Sequence, residues 1–245
     1  MKVCVVMPAW NESEGVGGFL AELSASLNQH EPAFVVVDDF SSDGTRAVVE
    51  ETAASGINVT VVTNDRNRGH GPSTMRALAL GLASGADVVL ALDGDGQFRG
   101  MDVARVLGAL DSQGIDVVEG VRTNRQDPAY RKVVTTGTRV MVWARTRRLP
   151  ADANTPLRAY RSPILARILE TVSPDSITPN LNISVLCRNW PIGLAEVPVV
   201  SQPRRGQSAI GSTWGKGSLV PSKRFIGFCR DAVSEWVGQS SRGKP

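Results

Sequence analysis

Two aspartates one residue apart close an apolar run: Val88-Val89-Leu90-Ala91-Leu92 is followed at once by Asp93-Gly94-Asp95-Gly96-Gln97. In open α/β sheets ligands bind beyond the carboxyl ends of buried strands, so two carboxylates arrive where a ligand would sit. Alternate residues of an extended segment point to the same side, and the two glycines let the backbone bend until Asp93 and Asp95 face one ion. Carboxylate oxygens of this kind suit Mg²⁺ or Mn²⁺, which commonly bridge protein carboxylates to substrate phosphates. The same run would serve equally well as a plain Asp/Gly turn. Its company elsewhere in the chain decides between the two.

Three more strand ends carry polar clusters. Met7-Pro8-Ala9-Trp10-Asn11-Glu12 makes a rigid bend followed by polar side chains. Val37-Asp38-Asp39-Phe40-Ser41-Ser42-Asp43-Gly44-Thr45 places a carboxylate, Asp39, where it could accept hydrogen bonds from the N–H groups of a nucleotide base. In Asn67-Arg68-Gly69-His70-Gly71-Pro72, glycines let backbone amides approach a ligand, and a helix start favours an anion. Each cluster alone is ordinary loop chemistry. Four at corresponding strand ends predict one ligand site.

The elements that must hold these residues follow from periodicity. Short β-branched runs at Val3–Met7, Ala33–Val37, Val59–Thr63, Val88–Leu92 and Asp116–Val118 alternate with helical patterns at Gly15–Leu27, Asp43–Ala54, Ser73–Ala83 and Asp102–Leu110. The fold class predicted is α/β, with a mainly parallel central sheet flanked by helices. Beyond Gly120 the alternation is lost. Helices are expected over Val133–Arg147 and Ile164–Thr171, a strand over Leu194–Val200, and a mobile loop over Gln202–Gly217. Arg224–Val237 reads as a terminal helix packed on the core, or alternatively lying on a membrane surface. Residues 1–218 would form the catalytic domain, 1–120 its nucleotide-binding half and 121–218 its acceptor-side half, with 219–245 a C-terminal helix and tail. The 245 residues, 42% hydrophobic, suffice for one substantial core. A formal charge of +3 with both signs dispersed does not suggest nucleic acid. No apolar run reaches the roughly 18 residues of a transmembrane helix, and the N-terminus lacks the pattern of a signal peptide. A cytoplasmic protein is expected, with contact at the inner membrane face left open. Cys4, Cys187 and Cys229 are too few and too far apart for a disulfide framework or a zinc site, so burial is expected for each.

Taken in order, these motifs resemble glycosyltransferase family 2, and within it the branch of dolichyl- and polyprenyl-phosphate mannosyltransferases. Pro8-Ala9-Trp10-Asn11-Glu12 matches Pro-Ala-x-Asn-Glu, Val37 to Thr45 matches Val-Asp-Asp-x-Ser-x-Asp-Gly-Thr, and Asn67 to Gly71 matches Asn-x-Gly-x-Gly. Asp93, Asp95 and Gln97 match the metal-binding Asp-x-Asp-x-Gln. In the second half Glu119-Gly120-Val121-Arg122 resembles a Gly-x-Arg motif, and Asp152-Ala153-Asn154-Thr155-Pro156-Leu157-Arg158 resembles Asp-x-x-Ser-Gly-Phe-Arg. Glu196-Val197-Pro198-Val199 resembles the strand before the family's basic loop. The likeness runs from about residue 3 to 210. Two departures fall on the acceptor side: Thr155-Pro156-Leu157 replaces Ser-Gly-Phe, and the basic loop ends in Ala209 where the family has lysine.

The resemblance implies a GT-A type domain that transfers a hexose, with inversion, from a GDP- or UDP-linked nucleoside-diphosphate sugar. Pro8, Ala9, Glu12 and Asp39 would hold the nucleoside, with Gly69 and Asp93 completing the donor site. Asp93, Asp95 and Gln97 would hold Mg²⁺ or Mn²⁺ on the diphosphate. Two acceptors stay open. A hydroxyl would need a base, for which Asp152 is the match. A lipid phosphate is already ionised and needs positive charge instead, for which Arg122, Arg131 and the Arg204-Arg205 pair are candidates. An oxidoreductase would need Gly-x-Gly-x-x-Gly after the first strand, where Pro8 to Glu12 stand. A catalytically inactive nucleotide-sugar binding protein is the non-enzymatic alternative.

Overall fold

The computed structural model describes residues 1–123 and 129–206, together with 227, 230, 232–236 and 238; for 129–133 it describes the backbone alone. The chain opens with strand β1 (Val3–Ala9), helix α1 (Val16–Ser26), β2 (Ala33–Asp38), α2 (Thr45–Ala54), β3 (Val59–Thr63), α3 (His70–Ala83), β4 (Val88–Ala91) and α4 (Gly100–Gly108). It continues with β5 (Val117–Thr123), α5 (Ala129–Thr146), β6 (Arg158–Arg161), α6 (Ser162–Thr171), α7 (Pro179–Asn189) and β7 (Leu194–Val200). One seven-stranded sheet results, in the order β3-β2-β1-β4-β6-β5-β7. It runs unbroken through both halves of the chain.

Alternation builds the two layers. Along β1, Val3, Val5, Met7 and Ala9 join a core with Phe19, Leu20 and Leu23 of α1 and Val103, Val106 and Leu107 of α4. Cys4 and Val6 face the other side, against Met75 and Leu78 of α3, Leu165 and Ile168 of α6 and Ile183 of α7. Strand β4 divides in the same way, with Val88 and Leu90 in the first cluster and Val89 and Ala91 in the second. A strand covered on both faces must read apolar throughout, which is why the run before Asp93 is unbroken. Cys4 and Cys187 are buried, as expected, while Cys229 lies outside the described residues.

Sheet order places the site. From β1 the chain steps outward to β2 and β3, all parallel, then crosses back to lay β4 along the opposite edge of β1. The order reverses there, and such a switch point opens a crevice beyond the carboxyl ends of β1 and β4. The Pro8–Glu12 bend and Asp93–Asp95 leave from those two ends.

The second half holds two elements absent from the sequence reading. Strand β6 runs antiparallel between β4 and β5, and α7 packs against α5 and α3. Among the described residues no helix is long and apolar enough to cross a membrane. Of the helix expected over Arg224–Val237, the described residues 227, 230 and 232–236 are helical, as is 238 just beyond it. It is latched by Glu235, whose Oε2 accepts from the amides of Ile177 and Thr178 and from the Thr178 hydroxyl, while Oε1 accepts from Asn182 Nδ2. This carboxylate sits at the start of α7, where the helix dipole favours negative charge. Glu235→Ala should destabilise the protein by about 1–2 kcal/mol in denaturant unfolding. Glu235→Gln, which keeps a carbonyl acceptor, should lose less; equal losses would show that the latch is not the carboxylate.

Candidate active site

The Asp93–Gln97 turn is held against β1. The Gly94 amide donates to the Pro8 carbonyl at 3.1 Å, and a side chain at Gly94 would meet that oxygen at 3.0 Å and the Ala9 Cβ at 3.2 Å. Gly96 has a left-handed φ of 70°, and a Cβ there would lie 2.4 Å from Arg205 Cδ. Gly96 is favoured by its backbone conformation, and at Gly94 a side chain would crowd the Pro8 carbonyl. Asp95 and Gln97 then receive the chain that leaves β7: the Arg205 amide donates to the Asp95 carbonyl and the Gln202 amide to the Gln97 carbonyl, each at 2.9 Å. Residues 202–206 of the loop expected to be mobile thus lie ordered across the turn. Residues 207–217 lie outside the described residues.

Charge is concentrated here. Asp93 Oδ1 lies 2.8 Å from His70 Nε2, a partner that reaches it from the start of α3. Burial works against the Asp93 carboxylate, but His70, Arg122 and Arg204 outweigh it and hold it below the ordinary range. Asp95 is pushed up to about 7, by burial first and then by the charge of Asp93. Burial likewise opposes the charge on His70, yet Asp93, Asp95 and Asp39 raise it. Glu12 is buried and raised by that burial, against the pull of its ion-pair partner Arg204.

This pair of carboxylates fits a divalent ion. Asp93 keeps Oδ2 and Asp95, whose Oδ1 accepts from the Gln97 amide at 3.2 Å, keeps its other oxygen. Two like charges forced together in a partly buried turn are relieved by a cation between them. Among the described residues no cluster of three or more Asp, Glu, His or Cys side chains offers a full ligand set. Substrate phosphates and water would have to complete the shell, the usual arrangement for Mg²⁺. Gln97 Nε2 donates to the Gln202 carbonyl at 3.2 Å, so this side chain ties the incoming loop to the turn.

Asp39 is 3% exposed and its oxygens are already engaged. Oδ1 accepts from Asn64 Nδ2 at 2.6 Å and from the Arg68 amide at 2.8 Å, and Oδ2 from the Gly69 amide at 2.8 Å. The carboxylate therefore folds the Asn64–Gly69 segment onto the tip of β2, with Gly69 in direct contact. Neighbouring backbone is unusual too, since Asn11 and Phe40 have left-handed φ values of 54° and 62°. Such conformations in non-glycine residues cluster at binding sites.

In the second half of the chain Asp152, 4% exposed, is clamped by Arg122: Nε lies 2.7 Å from Oδ2 and Nη2 3.1 Å from Oδ1. Arg122 Nη2 also donates to the Asn154 carbonyl. The backbone of Arg131 belongs to α5, and its side chain lies outside the described residues. Arg204 and Arg205, expected to join an acceptor-phosphate cradle, are paired with carboxylates of the first half of the chain, Arg204 with Glu12 and Arg205 with Glu22. Arg158, which the acceptor-side motif included, lies in β6 at 0% exposure against Glu119. A buried guanidinium needs a carboxylate, and the only way to pair it is inward.

The contact of His70 with Asp93 and the pairing of Arg204 with Glu12 are what sequence reasoning missed. A histidine at the start of the helix after the third strand was the available signal for the first. For the second no local signal exists, since its partners are 192 residues apart.

The fold is shared with known proteins. The fold recurs in a mannosyltransferase from Pyrobaculum calidifontis in complex with GDP-Man and Mn²⁺, with a TM-score of 0.62 at 18% identity, covering 100% of this chain and 65% of that one. It recurs in the glucosyl-3-phosphoglycerate synthase of Mycobacterium tuberculosis with Mn²⁺ and UDP-glucose, with a TM-score of 0.59 at 20% identity over 84% of this chain and 72% of that one. These are GT-A folds, as the sequence motifs implied. Residues 4–167 match the family described as glycosyl transferase family 2, and the chain belongs to that family. Among curated relatives, the undecaprenyl-phosphate 4-deoxy-4-formamido-L-arabinose transferase of Proteus mirabilis is 32% identical over 182 residues, 74% of this chain and 55% of that protein. Its namesake from Klebsiella pneumoniae subsp. pneumoniae is 28% identical over 206 residues, 83% of this chain and 60% of that protein. The chain thus spans less than two thirds of the length of these relatives.

Proposed function

We propose that this chain is the catalytic domain of an inverting glycosyltransferase that moves a sugar from a GDP- or UDP-linked donor to a polyprenyl phosphate, with Mg²⁺ or Mn²⁺ on the diphosphate. The observation that carries the reading is the Asp93–Asp95 pair at the switch-point crevice, where the positive charge of Arg122 helps to keep the Asp93 carboxylate ionised. When bound, the ion stabilises negative charge on the departing diphosphate.

The chain's own groups do the rest. Pro8, Ala9, Glu12 and Asp39 shape the nucleoside end, and Asp93 with Asp95 orient the diphosphate. A phosphate oxygen of the acceptor attacks the anomeric carbon as the bond to the diphosphate breaks, and the electron pair leaves on the diphosphate oxygen. The attacking phosphate is ionised near neutral pH, so no proton must be removed. This suits Asp152, whose two oxygens are engaged with Arg122 and therefore poorly placed to act as a base. Asp152 instead fixes the guanidinium that receives the phosphate, with Arg131 as a second cation.

The test pairs two measurements. Melting curves with UDP, GDP, dTDP and NAD, with and without Mn²⁺, should show a metal-dependent rise for one nucleoside diphosphate, which selects the donor. Labelled donor should then give product with a short-chain polyprenyl phosphate. Transfer to a soluble hydroxyl acceptor alone would return Asp152 to the role of base, and stabilisation by NAD alone would sink the transferase reading.

A further inference from the structure

Helix α5 has one face whose purpose the reaction does not explain. Its inner side is ordinary core: Val142 is fully buried with Ala153 and Leu181, and Met141 packs against them. On the outer side Gly137, Val140, Trp143, Ala144 and Arg147 recur at helical spacing and are exposed. Val140 is 50% exposed, Trp143 44% and Leu149, just past the helix, 56%. The Arg147 guanidinium lies 5.3 Å from the centre of the Trp143 ring. Three large apolar side chains left in water on one short segment mark an interaction surface.

Charge narrows the partner. Residues 129–149 contain six basic residues, Arg131, Lys132, Arg139, Arg145, Arg147 and Arg148, and no Asp or Glu. The rest of the chain has more acidic than basic residues. Arg139 is used internally, donating to the Pro150 carbonyl, and Arg145 lies over the Trp236 ring. Arg147 and Arg148 are exposed beside Trp143 and Leu149.

We propose that the outer face of α5, with Leu149, docks on an anionic lipid bilayer. An exposed tryptophan flanked by aliphatic side chains and arginines matches the physics of the membrane interface. The ring and alkyl groups enter the headgroup boundary while guanidiniums meet lipid phosphates. The charge along this segment is of one sign, which fits a fluid anionic surface better than a shaped protein groove. Leu149 stands three residues before Asp152, which holds Arg122. Docking through this face therefore brings the bilayer to the acceptor side of the cleft, a consequence that rests on the lipid-phosphate reading. The docking itself does not.

Sedimentation with vesicles tests it in the absence of donor and acceptor. The protein should pellet with phosphatidylglycerol-containing vesicles at low salt, less at high salt, and little with pure phosphatidylcholine. A Val140→Ser/Trp143→Ser/Leu149→Ser variant and an Arg147→Glu/Arg148→Glu variant should each lose at least about tenfold in partitioning. Their circular dichroism and their transfer to a short-chain acceptor in solution should stay unchanged. Parent protein that remains in the supernatant with anionic vesicles, or variants that pellet as well as the parent, would overturn the proposal. A dimer in light scattering that the apolar variant abolishes, without vesicle binding, would assign the face to a second copy and overturn it too. Vesicle binding with no transfer to polyprenyl phosphate would leave the docking surface standing and remove the acceptor reading.

Discussion

Asp95→Asn should lower kcat by at least about a hundredfold while leaving the protein more stable than its parent. Loss of turnover follows from the donor set: with Asp95 neutral, one of only two carboxylates at the turn no longer attracts the ion. The gain in stability follows from the electrostatics. Asp95 is pushed up to about 7 from an ordinary 3.8, by burial and then by Asp93. The folded protein therefore holds this proton more tightly than the unfolded chain does. That contribution is fully present below about pH 4 and disappears as pH rises through about 7, so at pH 8 the ionised pair opposes folding. Asparagine removes the charge and keeps the shape. The melting temperature of the metal-free variant should exceed that of the parent at pH 8 by a few degrees, and the difference should vanish toward pH 4. Mn²⁺ with nucleoside diphosphate should raise the parent far more than the variant. Labelled-donor turnover and melting curves at the two pH values check both halves; undiminished turnover would show that Asp93-Gly94-Asp95 is only a turn.

That trade, stability given up at a site where charge is needed, also explains which parts of the molecule could be read from sequence. Strands β1, β2 and β4 were legible because their faces meet two apolar layers, so apolar residues run without a break and polar residues appear only where each strand ends. Asp39, Asp93 and Asp95 stand at those ends, and the ordered motifs located them. Strand β6 was not legible. Its four residues begin and end in arginine, and hydropathy reads Arg158 as surface although it is fully buried. Helix α7 was missed for a related reason, since Asn180, Asn182, Ser184 and Arg188 are all buried in it. Pro179 at its first turn was a start signal that the polar residues masked. Contacts between distant segments were the other blind spot. His70 on Asp93 and Arg204 on Glu12 depend on which strand ends and loops meet, and periodicity carries no such information.

The buried charges that hid β6 and α7 support the second large expectation: Glu119→Gln should destabilise the protein by about 3–5 kcal/mol. Glu119, in β5, has no exposed surface. Its Oε1 lies 3.1 Å from Arg158 Nη2 and its Oε2 2.7 Å from Arg188 Nη2, so it joins β6 and α7 to β5. Arg188 Nη2 also reaches Glu196 Oε1 at 2.7 Å, the atom that accepts from the Ala151 amide. Arg158 adds bonds to the carbonyls of Asn180 and Ala153. Neutralising Glu119 leaves Arg188 with the partly exposed Glu196 alone, and leaves Arg158, among the described residues, with no carboxylate in an ion pair. The melting temperature should fall by roughly 10 °C or more. The chain 151–154 hangs on this network through Ala151 and Ala153, and Asp152 lies between them. At temperatures where the variant is folded, KM for the acceptor should therefore rise while binding of the nucleoside diphosphate with Mn²⁺ stays near that of the parent. A loss below about 1 kcal/mol would show that water or backbone satisfies Arg158 and Arg188 without Glu119. Equal losses of donor and acceptor binding would show that the network supports the sheet as a whole and not the acceptor-side loop.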